Sequence, residues 1–400
     1  MSDTKSLMSV AVVSDSIYPF YRGGKETHYH QVLSRLRADL QITLYTMHWW
    51  SERKRTKQIE GVTCRAICPM FPLYRASRRS MLEAFAFAFA CLRLLGKHFD
   101  VVEADNVPHP QLFTLRLVTK LKRRPLVVTW YEVWGRQYWV NYLGRFRGTV
   151  AWWIERSAMG LPDQILAVSA GTADRLRLYI GDRVPIRIIQ PGIDLDLISS
   201  VDPAGPEEAA ELIYVGRLLK HKGVHLLVDS LAKLRTERPL RLLVVGDGPE
   251  RDELEKQVAR AGLVDRVRFR SDVIDTQEVF ALMKAAQVFV FPSIREGFGI
   301  APLEALACGT PVVTTSHPDN NARYLIARSD RGYLAEPTVE ALVAAIEQAL
   351  ANTTRSREPV EAWLKEFDWS TVAEDYLDAL TIAVQAGSGT LSHPRREMAP

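Results

Sequence analysis

The sequence is poor in cysteine. Four residues in 400, Cys64, Cys68, Cys91 and Cys308, are too few for a secreted disulfide framework. Cys64 and Cys68 have no further Cys or His at ligand spacing, so no zinc site is expected and all four are read as reduced and structural. Long apolar runs are missing as well. No stretch reaches the ~20 residues that cross a bilayer, and the nearest, MLEAFAFAFACLRLL, contains Glu83 and Arg93. The start, MSDTKSLMSVAVVSDS, has one early lysine and no long apolar core, so it reads as a first strand and not as a leader. A cytoplasmic protein is expected. Neither GxGxxG nor GxxxxGK[ST] occurs, which removes the dinucleotide fingerprint and the P-loop.

Net charge is also small, +4, but it is unevenly spread. Residues 1–200 hold 28 Lys/Arg against 17 Asp/Glu, a balance of +11; residues 201–400 hold 23 against 30, a balance of −7. A basic half beside an acidic half suggests that one half meets an anion or an anionic surface.

What is present is a repeating pattern. MSVAVVS, QITLYT, DVVEA, LVVTW, QILAVS and IRIIQ are short apolar runs, as parallel strands covered on both faces should be. Helical stretches at 26–38, 80–96, 110–122 and 169–179 lie between them. The series pauses at SSVDPAGPEEAA (199–210), a linker by composition, and restarts with ELIYVG, RLLVVG, RVRF, VFVF and PVVTT. Helices are expected there at 223–236, 250–261, 276–286, 300–308 and 338–351. The reading is two tandem doubly wound, Rossmann-like α/β domains facing a cleft. Their bounds are 1–195 and 196–368, with a last helix at 369–385 crossing back to the first domain and a disordered tail at 386–400.

Ligands of such sheets bind beyond the carboxyl ends of the strands. After the first strand, Gly23 and Gly24 precede a helix, where loop amides and a helix N-terminus suit a phosphate; taken alone, the pair is better explained as a plain turn. Arg217 and Lys222 follow the first strand of the second half and suit a diphosphate, although a solvated basic loop is the simpler account of two cations. Gly246 and Gly248 repeat the strand–glycine–helix pattern. In SIREGFGIAPLEALACGTPVV, Glu296 falls in a strand-end loop and Glu304 one turn into an apolar helix. A carboxylate there is costly to desolvate unless it is hydrogen-bonded, and a ligand diol would satisfy it. A turn acid and a solvent-facing helix acid are the plain alternatives.

REGFGIAPLEALACGTPVV resembles the E-x7-E signature of retaining glycosyltransferases of family 4, which have the GT-B fold. PFYRGGKETH, YVGRLLKHKGVHLLVDSL and VVGDGPERDELE resemble that family in the same order, and the likeness runs from Met8 to about Gln385. It implies a sugar transferred with retention from a nucleotide diphosphate sugar, UDP- or GDP-linked, to an acceptor hydroxyl, with no metal or other cofactor. It implies roles as well. Gly23 and Gly24 would approach the donor diphosphate. Arg217 and Lys222 would bind it and stabilise the departing nucleoside diphosphate. Glu296 would hold hydroxyls of the donor sugar and Glu304 those of the ribose. Backbone amides around Gly297, Phe298, Gly299 and Ile300 would contact phosphate or sugar. DLD at 194–196 looks like a metal-binding DxD, but it follows QPGI at the domain junction and reads as structural.

One feature departs from the family. Members often carry a histidine in a T-x-H context after a first-domain strand; here the stretch is VVTWYEVWG. Tyr131 takes that place, followed by Glu132, and His109 is a further candidate for the reacting centre. Tyr131 can donate one hydrogen bond but is a poor base near neutral pH; Glu132 has a simpler reading as a turn cap and His109 as a helix-start residue. On the acceptor side, the helix around Met81, Phe85 and Phe89 is apolar all round, which points to core, while Arg78, Arg79 and Arg93 beside it allow docking on an anionic membrane at its inner face. The aromatic run at 130–153 suits the rim of a lipid-linked, glycan or secondary-metabolite acceptor, or a long helix packing its rings inward. A GT-B-fold nucleotide-sugar 2-epimerase and a non-catalytic membrane- or nucleic-acid-binding protein are the other readings; no nucleic-acid recognition motif is present.

Overall fold

The computed structural model describes residues 7–21, 23–75, 78–273, 275–352 and 362–387. The expected tail beyond Gly387 lies outside them. The chain forms two compact units: Gly192–Asp368 is one, and the segments on either side of it form the other. The division falls at Pro191, where the sequence pattern alone puts it after 195.

The first unit begins with β1 (Met8–Val13), α1 (Gly24–Leu36), β2 (Leu40–His48), β3 (Thr56–Ile59), β4 (Val62–Pro69) and a two-residue ribbon, β5 (Tyr74–Arg75) and β6 (Arg78–Arg79). It continues through α2 (Met81–Ala90), β7 (Val101–Asp105), α3 (Pro110–Lys122), β8 (Leu126–Trp130), α4 (Gly135–Leu143), α5 (Arg145–Ala158), β9 (Gln164–Ala167), α6 (Ala170–Ile180) and β10 (Ile186–Ile188). Its sheet has the order β10-β9-β8-β7-β1-β2-β4-β3, parallel except for β3. Successive residues of one strand feed different cores: Ala11 and Val13 join Phe87, Leu115 and Ala158 under α2, α3 and α5, while Val10 and Val12 join Val32 and Tyr376 on the other side. Both faces are buried, which is why the central strands are mostly apolar.

The β3–β4 hairpin is invisible in the sequence pattern, because its strands carry Lys57, Gln58, Thr63 and Arg65. Its turn is Glu60-Gly61, both at positive φ (48° and 85°), the geometry of a tight two-residue hairpin turn. The aromatic run is not one long helix. Gly144 breaks it into α4 and α5, which pack against each other so closely that a Cβ on Gly148 would meet the Trp139 carbonyl oxygen at 2.3 Å.

The second unit holds α7 (Leu195–Ser200), β11 (Leu212–Val215), α8 (Val224–Lys233), β12 (Leu242–Val245), α9 (Arg251–Arg260), β13 (Val267–Arg270) and α10 (Thr276–Ala285). Then come β14 (Val288–Phe291), α11 (Ile300–Ala307), β15 (Val312–Thr315), α12 (Ala322–Ile326), β16 (Gly332–Ala335) and α13 (Val339–Ala351). The sheet is parallel, with the order β13-β12-β11-β14-β15-β16. β16, with its short GYLA sequence, is an addition to the expected strands. Asp194 of the DLD triplet caps α7 by accepting from the Leu197 amide at 2.9 Å, a structural role. The last helix, α14 (Trp369–Gly387), rejoins the first unit, where Trp369, Val372 and Tyr376 complete the α1-side core.

All four cysteines are free thiols. Among the described residues, no helix is long and apolar enough to cross a membrane.

Candidate active site

In the second unit, three strand-end loops are stitched together. The loop after β11 turns through Lys220–Lys222 into Gly223, which has φ +73°. A Cβ there would lie 2.1 Å from the Pro292 carbonyl oxygen, so only glycine lets this loop close on the one after β14. The Ile294 amide donates to the His221 carbonyl at 2.9 Å. The loop after β15 joins them: the Glu296 amide donates to the Asp319 carbonyl and the Asn321 amide to the Glu296 carbonyl, at 3.0 and 3.1 Å.

This stitching brings Lys222 and Glu296 together. The ammonium forms a short ion pair with the Glu296 carboxylate and sits 5.2 Å from the centre of the Phe291 ring. Arg217 is exposed at the end of β11, where the Tyr214 hydroxyl donates to its carbonyl at 3.0 Å. Gly246 and Gly248 pack against the backbone of the β11 loop.

Past Glu296 the chain reaches Gly299 at φ +105°, where a Cβ would lie 2.5 Å from that of Ala322. Gly299 starts α11 with no side-chain cap. Among the described residues, no acceptor meets the amides of Phe298, Gly299 and Ile300. These are donors with the partial positive charge of a helix start behind them. Glu304, one turn further, is half-buried, and no donor among the described residues reaches its carboxylate. Burial alone pushes its pKa up to about 8. A carboxyl in this setting is a group that a hydroxyl-bearing ligand could satisfy.

In the first unit, Gly23 caps α1 and Gly24 opens it, but the strongest charges beside them are ones that the motifs do not point to. Asp15, just past β1, and Asp105, the last residue of β7, are fully buried. Lys25 bridges them, at 2.7 Å to Asp15 and 3.0 Å to Asp105. Arg79 also pairs with Asp15. Burial acts to raise Asp15, but Arg79 and Lys25 outweigh it and hold the carboxyl below its ordinary value. Glu83, buried beside them, moves the other way, raised by desolvation and by Asp15. The visible signal is an acid at or just past the end of two strands, in VVSDS and VVEAD; their partner is invisible, because Lys25 is far from Asp105 in sequence.

Tyr131 follows β8, and its hydroxyl lies 3.0 Å from His28 Nδ1. Burial lowers the His28 pKa to about 4, so this imidazole is neutral near pH 7. Tyr131 is itself raised well above its ordinary value by desolvation. The Glu132 carbonyl accepts from Trp130 Nε1 at 3.0 Å. His109 belongs to the packing. It is buried, bonds the Asn106 carbonyl through Nδ1, stacks on Trp130 and lies 3.9 Å from Glu155. It forms a wall of a cavity of about 70 Å³ lined by Met81, Pro108, Trp134, Trp139 and Tyr142.

Two doubly wound parallel-sheet α/β units are the architecture of the GT-B fold. The chain belongs to glycosyltransferase family 4: the model described as Glycosyltransferase Family 4 matches residues 22–197, and that described as Glycosyl transferases group 1 matches residues 200–363. It is 31% identical over 289 residues to a glycogen synthase of Mycobacterium tuberculosis, an alignment covering 68% of this chain and 66% of that one. The chain thus spans just under two thirds of that relative's length. Among solved structures it is similar to sucrose-phosphate synthase from Thermosynechococcus elongatus, with a TM-score of 0.78, 19% identity and coverage of 95% and 100% of the two chains. The Anabaena protein HepE, solved with UDP and glucose, aligns at a TM-score of 0.71 and 19% identity, over 94% and 100%.

Proposed function

We propose that this protein is a retaining, metal-independent hexosyltransferase that takes a sugar from a nucleoside diphosphate donor, with UDP or GDP as the base-bearing group, and places it on an acceptor hydroxyl. The observation that carries the reading is Glu304, a half-buried carboxyl that no donor among the described residues reaches, beside the amides of Phe298, Gly299 and Ile300, which no acceptor among those residues meets. The UDP and glucose bound by HepE are of the same ligand class.

In this reading the ribose hydroxyls donate to Glu304 and the α11 amides hold phosphate or sugar oxygens. The donor diphosphate draws Lys222 away from Glu296. Lys222 and Arg217 then face the phosphates, and Glu296 is released to accept from the sugar hydroxyls. The bond from the anomeric carbon to the phosphate oxygen breaks while the acceptor oxygen bonds that carbon from the same face. The acceptor proton passes to the departing phosphate oxygen, whose growing charge the two cations stabilise. No protein base is required, so the neutral Tyr131–His28 pair is compatible with the step. The acceptor is a hydroxyl on a glycan, a small metabolite or a lipid-linked sugar.

Glu304 gives a test with a definite sign. An ordinary glutamate titrates near 4.5 and this one near 8. Between those values the folded chain keeps a proton that the unfolded chain releases, so stability falls as pH rises through the window. Glu304→Gln therefore melts higher than the parent at pH 9, by about 1–2 kcal/mol once its solvent contact is allowed for, and equally at pH 4.5. The same substitution weakens nucleoside diphosphate binding about 10–100-fold, and parent binding near pH 7 releases a proton, seen as a buffer-dependent heat in calorimetry. Unchanged affinity in the glutamine variant would remove Glu304 from the donor site.

A further inference from the structure

α2, α3 and α5 lie on the same face of the first sheet. Phe87, Leu115 and Ala158 bury their inner sides in one core, α2 packs beside α3, and α3 touches α5. Their outer sides are apolar as well. Phe85 and Phe89 on α2, Leu117 and Leu121 on α3, and Phe146 and Trp153 on α5 are all exposed; Phe89 is 73%, Leu121 65% and Phe146 82% accessible. Within each helix these positions are four or seven apart, so each helix presents a stripe. Single exposed apolar residues are unremarkable, but adjacent stripes on three neighbouring helices mark an interaction face.

Acids at the border of this face are paired, Asp163 with Arg116 at 2.7 Å among them, and the exposed charges left unopposed are basic. Arg93, Lys120, Arg123, Arg145 and Arg147 are exposed, and no carboxylate meets them among the described residues. Residues 78–158 contain 13 Lys/Arg and six Asp/Glu. Four of the acids, Glu83, Glu103, Asp105 and Glu155, are fully buried, and a fifth, Asp100, pairs with Arg124 at 3.4 Å. The acids have been withdrawn from this surface and the cations left on it.

We propose that this face docks on the surface of an anionic lipid bilayer, the rings and leucines entering the headgroup–acyl boundary and the cations meeting lipid phosphates. The pairing of apolar stripes with unopposed cations selects that occupant. A second copy would bring like charges together, and a nucleic acid would match the cations but leave the apolar side chains unburied. None of these residues belongs to the donor loops, so the inference stands apart from the transferase reading.

The test is flotation of the full chain with vesicles of phosphatidylcholine alone and of phosphatidylcholine with one third phosphatidylglycerol. Binding is expected on the anionic vesicles only, and raised salt should weaken it. Phe85→Ser with Phe89→Ser lowers the bound fraction at least about tenfold while the thermal melt is kept, because both side chains are exposed to solvent. Arg145→Ser with Arg147→Ser lowers binding and flattens its salt dependence. No binding to anionic vesicles, or equal binding to neutral ones, overturns the proposal. So does a dimer in light scattering that the phenylalanine substitutions dissociate, or capture of random oligonucleotides without capture of vesicles.

Discussion

Lys222→Ala lowers kcat/KM for glycosyl transfer about 10²–10³-fold, the usual cost of removing one preorganised group that faces developing transition-state charge. Its geometry argues for an effect on transfer more than on folding. The ammonium lies on a strand-end loop and is only partly accessible, at 17%, and its partner Glu296 is equally open, at 18%. Loss of the pair leaves Glu296 in contact with water instead of stranded in a core, so the melting temperature should move by only a few degrees. Lys222→Arg keeps the charge and should recover part of the rate. Glu296→Gln separates the two roles: it keeps the diphosphate cation and loses the sugar contact, so KM for the donor should rise more than kcat falls. Steady-state kinetics with the thermal melt of each variant decides the matter; near-parent turnover in Lys222→Ala would leave the cation without a part in the chemistry.

Gly223→Val destabilises the second unit by roughly 2–4 kcal/mol and abolishes transfer. Two costs coincide there. The residue has φ +73°, and a Cβ would stand 2.1 Å from the Pro292 carbonyl oxygen, a backbone atom that no rotamer change can move. Relief requires the loops after β11 and β14 to part, which separates Lys222 from Glu296. Gly262→Ala is the control. Gly262 is also left-handed, at φ +68°, but a Cβ added there would meet nothing within 4 Å. It should cost only about 1–2 kcal/mol and leave kinetics unchanged. Limited proteolysis and thermal melts of the two variants distinguish clash from backbone strain; equal losses would assign the whole effect at Gly223 to strain.

Much of this protein is legible from local pattern. Two-sided apolar runs such as MSVAVV and LLVV, short and alternating with helical stretches, read as strands buried on both faces, and each is followed within a few residues by a loop with polar residues. That spacing puts Arg217, Lys222 and Glu296 in loops that follow strands and Glu304 in the helix after one of those loops. The strands that the pattern does not reveal, β3, β4 and β16, are edge or near-edge strands, where one-sided burial relaxes the demand for apolar residues. The aromatic run is ambiguous in sequence because composition alone does not say which side of a helix is covered; in the fold Gly144 splits it, and Trp134, Trp139 and Tyr142 close on one another around His109.

Side-chain period and neighbours a few positions away suffice for the strand–helix alternation, the two parallel sheets and the identity of the residues that follow each strand. Which charges meet is a matter of tertiary structure alone. Lys25 joins Asp15 to Asp105, Lys222 reaches Glu296, and Glu304 is left without a donor among the described residues, because each of these outcomes depends on which loops the sheet order brings together. The same holds for the apolar face of α2, α3 and α5: every stripe is written in its own helix, but that the three lie side by side, with the acids buried beneath them, follows from packing on one shared sheet.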